Sequence, residues 1–186
     1  MSKKMKKLVI GGMLIALNIV LPYVFHFVPG GGKLFLPMHF GVLIAGLLLG
    51  PVYGIAIGIT APFLGMVTTG MPQMPMTVFM TFELAAYGAC SGGFSLLFRK
   101  TGLSEIWNIY LSLVLSMVAG RLVYAGILLV SGFVTSGTAP AVITVFTSFL
   151  AGLPGVAVQL LLIPVIVLSI QKAVRMEQPA ETPVRY

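Results

Sequence analysis

Two ionisable side chains stand inside stretches that are otherwise apolar: Glu83 in "TVFMTFELAAYGAC" and Arg121 in "SLVLSMVAGRLVYAGILL". Burying either charge alone in hydrocarbon costs at least ~2.5–3.5 kcal/mol on insertion scales, so each must face protein, water or an opposite charge. The two either pair to orient their segments or hold a polar ligand. Tyr87 follows Glu83 by four residues and shares its helical face, and Tyr124 follows Arg121 by three. Thr144, Thr147 and Ser148 cluster in a later segment, where hydroxyls serve a ligand or merely their own helix backbone. His39 opens the run "LPMHFGVLIAGLLLG" and reads as a ligand donor, a pH-sensitive group or an interfacial polar residue. Gln73, in "TGMPQMPM", and Lys33, in "PGGGKLF", sit in loops from which they can reach over a pocket. Gln159 lies deeper and reads as a bridge between helices. By type, Arg121 favours a carboxylate or phosphate, Glu83 an amine or hydroxyl, and the tyrosines a ring.

Catalytic signatures are missing. The chain has no HExxH, no GxSxG and no GxxxxGK[ST] phosphate loop, so it is not expected to be an enzyme or to hydrolyse ATP by that route. The lone cysteine, Cys90, excludes an internal disulfide and offers no metal-ligand pattern. No cofactor or metal is expected.

The elements that position these residues are set by composition. Of 186 residues, 58% are hydrophobic and only 8% charged, with a mean hydropathy of +1.07. A soluble domain carries about a quarter charged residues, so the solvent of this chain is lipid. The net charge of +7 does not indicate nucleic acid, because no basic face with interleaved aromatics exists. Its cations fall instead at segment ends: Lys3, Lys4, Lys6 and Lys7, then Arg99 and Lys100, then Lys172, Arg175 and Arg185.

A spanning helix needs about 20 apolar residues, fewer where protein shields it. Six segments meet that description: Leu8–Phe27, Met38–Leu49, Val52–Val67, Met76–Phe98, Ile106–Phe133 and Ala141–Ala173. The first follows four lysines but lacks a small-x-small cleavage site, so it is read as a retained helix. Six crossings put both termini and the basic segment ends on the cytoplasmic side, as the positive-inside bias requires. Gly50-Pro51 makes a tight turn, and Gly54 and Gly58 permit close helix contact. The loops Val28–Pro37, Thr68–Pro75 and Val134–Pro140 then share the outer face, and a site beneath them opens outward. Tyr23 and Tyr110 read as interfacial belt residues. Residues 1–175 form one six-helix transmembrane domain, and 176–186 a short cytoplasmic tail. Gly12 and Ala16 give helix 1 a small-x-x-x-small face suited to a docking partner.

The "GGMLIA" of helix 1, the block "LPMHFGVLIAGLLLGPVYGIAIGITAPFLGMVTTGMP" and "FELAAYG" at Phe82–Gly88 together resemble the energy-coupling factor (ECF) transporter S components, substrate-binding membrane subunits of bacterial vitamin importers. The resemblance covers nearly the whole chain. It implies a six-helix all-α bundle in the bacterial plasma membrane, with the ligand near the outer face among helices 4 to 6. It also implies partners: a transmembrane coupling subunit docking on Gly12 and Ala16, and two ATPase subunits that alone use ATP. The substrate is expected to be a water-soluble vitamin or precursor, bound by Glu83, Arg121, Tyr87, Tyr124, His39, Gln73, Thr144 and Ser148. A self-sufficient small transporter or channel and a non-catalytic scaffold are the competing readings. The first needs a continuous polar path, yet the cytoplasmic halves of helices 2 and 3 are almost wholly apolar.

Overall fold

The computed structural model describes residues 3–25, 31–135 and 138–176. In chain order these form α1 (Lys3–Phe25), α2 (Gly31–Phe35), α3 (Pro37–Leu49), α4 (Pro51–Thr69), α5 (Met76–Lys100), α6 (Glu105–Thr135), α7 (Thr138–Ala151) and α8 (Leu153–Met176). No strand occurs among the described residues. The tail from 177 onward, the side chain of Lys33 and the side chains of the loop expected at 134–140 lie outside them.

Helix α3 is the centre of the bundle, touching α1, α4, α5, α6 and α8. Its 13 residues rise about 20 Å at ~1.5 Å each, well short of a ~30 Å hydrocarbon core. Every residue from Pro37 to Leu47 is buried, which is the signature of a helix apolar on all sides and wrapped in protein. Shielding by neighbours lets so short a segment sit at membrane depth. Around it, α1, α4, α6 and α8 are each long and apolar enough to cross a bilayer. They turn residues such as Leu8, Met13, Val52, Val67, Leu122, Val130, Leu161 and Val165 outward. Helix α5 is long enough too, but its inward face carries Glu83, Tyr87, Ser91 and Ser95, all buried.

Glycine sets how closely the inner helices approach. A methyl group on Gly54 of α4 would collide with the Gly88 backbone of α5, and one on Gly88 with Gly54. Gly58 meets Leu84 in the same way, Gly92 meets the Gly50–Pro51 turn, and Gly46 of α3 meets Ser91 and Gly88. Without side chains the backbones reach contact distance, where van der Waals packing is the main force joining helices in lipid. The turn between α3 and α4 depends on Gly50, whose φ of 100° lies where other residues are strained. At that end Lys7 of α1 lies over the Tyr53 ring of α4, 5.9 Å from its centroid. Asn108 of α6 donates to the Ser95 carbonyl of α5 at 3.1 Å, so the basic ends of α1 and α5 fall on one side of the bundle.

Two expectations need correction. The last segment is not one helix over Ala141–Ala173. It is interrupted at Gly152 into α7, which lies along α6, and α8. Pro154 donates no N–H and disfavours helix at the residue before it, and the room left by Gly152 is filled by the Arg121 guanidinium. Hydropathy runs unbroken through this point and hides the break. The loop expected over Val28–Pro37 contains the short helix α2, whose Leu34 and Phe35 backbone rests against Gly155 of α8.

Replacing Gly88 by Val should destabilise the bundle by roughly 1–3 kcal/mol or more through overpacking. A lower Tm in detergent measures it. Gly12→Val adds its methyl groups to open space and should leave Tm unchanged.

Candidate functional site

Three helices bring their ionisable groups to one point. His39 sits in the first turn of α3, Glu83 about two turns into α5, and Arg121 near the middle of α6. One carboxylate oxygen, Glu83 Oε1, lies 3.4 Å from Arg121 Nη1 and 3.5 Å from His39 Nε2. His39 and Glu83 are 1% and 2% exposed. The separations are longer than the ~2.7–2.9 Å of a closed charge-assisted hydrogen bond, so the groups attract without saturating one another. Glu83 Oε1, both imidazole nitrogens of His39 and Arg121 Nη2 have no hydrogen-bond partner within the protein. Each such buried group costs about 1–3 kcal/mol until it finds one. Cost concentrated in one cluster makes it the candidate site for a polar ligand.

The walls are set by packing. Tyr87 is buried one helical turn below Glu83, on the same face of α5. Its ring meets His39 edge-on at 4.9 Å, with 78° between the planes, and its other side rests on Gly120 of α6, where a Cβ would clash. Gly152 serves Arg121 in the same manner. Thus the Tyr87 ring and the guanidinium each lean on a glycine of a neighbouring helix.

The turn that presents His39 is itself held. Leu36 adopts a left-handed conformation (φ 49°, ψ 50°), uncommon for a residue with a side chain. Its carbonyl accepts from His39 N at 3.0 Å and from Gln159 Nε2 of α8 at 3.3 Å. From the other side, Asn18 Oδ1 of α1 accepts from Gly41 N at 3.0 Å, and the Asn18 amide fills the space a Cβ on Gly41 would take. Asn18 escaped the sequence reading. The available signal was an amide fully buried in the middle of an apolar first helix, which needs a partner.

The structure therefore brings Glu83, Arg121, Tyr87 and His39 together. Tyr124 is buried beside them, its hydroxyl 3.6 Å from Met76 Sδ of α5, and Ser148 of α7 is half-buried. Gln73 and Thr144 are exposed. Thr147 bonds back to the Ile143 carbonyl at 2.9 Å. Gly12 and Ala16 face outward on α1. Gln159 bridges helices, tying α8 to the turn before α3.

The sequence model of the ECF transporter substrate-specific component family matches residues 6–167, and the chain belongs to that family. Its members are transporter subunits rather than enzymes, so the buried cluster belongs to a membrane transport protein. No curated protein and no solved structure matches the chain.

Removing one member of a buried ion pair strands the other. Glu83→Gln and Arg121→Gln should each lower stability by about 3–5 kcal/mol, and the double variant by clearly less than their sum. Tm values of the four proteins in detergent close the cycle, and additive losses would mean that the two groups do not interact.

Proposed function

We propose that this subunit captures a water-soluble vitamin or vitamin precursor at the outer face of a bacterial plasma membrane. It hands the substrate inward when a transmembrane coupling subunit and two ATPase subunits act on it. The observation that carries the reading is the buried, unsatisfied cluster of His39, Glu83 and Arg121 in a chain of this family.

Six crossings, made by α1, α3, α4, α5, α6 and α8, bring both termini to the cytoplasm. Lys7, the Gly50–Pro51 turn, Arg99 and Lys100 lie toward one end of the bundle, and the excess of cations there supports assigning that end to the cytoplasm. The cluster lies toward the other end, where α3 and α5 begin and α8 follows its break. Exposed Trp107, neighbouring Tyr110 at the basic end, and exposed Tyr23 near the far end of α1 fit the two interfacial belts. Gly12 and Ala16, small and outward-facing, suit a close approach by the coupling subunit. Energy comes from the partners, because the chain carries no nucleotide site of the phosphate-loop kind.

Two experiments test this. Purified protein should bind one compound of a vitamin panel at micromolar affinity or better by calorimetry, and Arg121→Ala should weaken that binding at least tenfold. Unchanged affinity would remove Arg121 from the site. In liposomes, uptake should require the coupling subunit, both ATPases and ATP; uptake by this chain alone would make it a self-sufficient transporter.

A further inference from the structure

Resting on the reading of the cluster as a substrate site, we infer that the group recognised there is uncharged overall and carries a hydrogen-bond donor beside an acceptor. An amide, a lactam or a hydroxypyridine edge has this character. A carboxylate or an ammonium does not.

The first ground is charge. Taken singly, Arg121 selects an anion and Glu83 a cation. At 3.4 Å they neutralise each other, so neither sign is left over to be matched. Among the described residues no further charged side chain pairs with them. On α5 and α6 the remaining groups at the cluster are the Tyr87 and Tyr124 hydroxyls. The flanking polar groups from α1 and α8 are the amides of Asn18 and Gln159. The threonines of α4 turn their hydroxyls back to nearby backbone carbonyls. An ion entering such a site gives up its water for partners already engaged with one another.

The second ground is the inventory of unpartnered atoms. Glu83 Oε1 can only accept and Arg121 Nη2 can only donate, while the two nitrogens of an imidazole comprise one donor and one acceptor. Unpartnered donors and unpartnered acceptors thus occur together in the cluster. A carboxylate offers acceptors only and leaves Glu83 Oε1 facing another oxygen. An ammonium offers donors only and leaves Arg121 Nη2 unmatched. A group with both functions at adjacent atoms satisfies the carboxylate and the guanidinium together. Specificity of this kind is steep, because the wrong ligand leaves buried polar atoms unpaired.

Isosteric probes read this directly on the purified full chain by calorimetry: nicotinamide against nicotinate and pantothenol against pantothenate, with 3-(aminomethyl)pyridine as the ammonium counterpart of nicotinamide. In any pair that binds, the neutral member is expected to bind at least tenfold tighter. Glu83→Gln leaves the guanidinium uncompensated and should shift the ratio toward the carboxylate by tenfold or more. The wild-type ratio decides by itself if that variant does not fold. A carboxylate member binding as well as its neutral counterpart, or 3-(aminomethyl)pyridine binding better than nicotinamide, overturns this inference and leaves the vitamin site standing. No binding by any probe, with riboflavin and folate also silent, overturns the vitamin site and this inference with it.

Discussion

The structure depends on one carboxylate oxygen placed between two nitrogen bases in a medium that stabilises none of them. Glu83 Oε1 faces Arg121 and His39 from helices that otherwise join through apolar and small residues. In an interior of low effective dielectric the attraction among these groups is strong, and so is the penalty for taking them out of water. The cluster therefore constrains α3, α5 and α6 to a narrow range of relative positions. It does not close into saturated hydrogen bonds. A membrane protein that only needed to stay folded would do as well with leucines at these positions, since replacing a buried ion pair by packed apolar residues is often neutral or stabilising.

Glycine makes that placement possible. The α4–α5 contact at Gly54, Gly58 and Gly88 draws the backbones together and aligns the inner face of α5 with α3 and α6. Along that face Glu83, Tyr87, Ser91 and Ser95 recur every fourth residue, and Asn108, Ser112 and Ser116 recur likewise on α6. The Ser91, Ser112 and Ser116 hydroxyls are satisfied locally or by the Asn108 amide, which also donates to the Ser95 carbonyl, so the lower part of this seam is largely bonded within itself. Only the upper part, at Glu83 and Arg121, keeps free polar capacity.

The ends of the site are tied by amides. Asn18 and Gln159, from α1 and α8, grip the two sides of the turn that carries His39. Leu36 holds its left-handed backbone while its carbonyl serves two donors at once. Such local strain persists only where surrounding contacts over-determine it, and here they fix the direction of an imidazole. The first and last long helices thereby take part in the site without placing a charge in it.

Much of this was legible in the linear chain. Scarce charge and long apolar runs put it in lipid, and the residues at 37–49, 51–69 and 76–100 form helices close to the segments marked out by hydropathy alone. Glu83 and Arg121 stood out because an ionisable group in an apolar run is conspicuous whatever the fold. Membership of the transporter family was readable as well, from residues spread along the chain. Other features were decided only in three dimensions. That His39 and Tyr87 meet at one carboxylate, with Asn18 bonded to the helix that carries His39, depends on which helix faces turn inward, and those faces differ little in hydropathy. The break at Gly152 was hidden for the same reason: apolar residues continue through it, and it is defined by a guanidinium arriving from another helix. Composition and periodicity report the solvent each residue prefers, whereas proximity between distant residues is set by where glycine lets backbones touch.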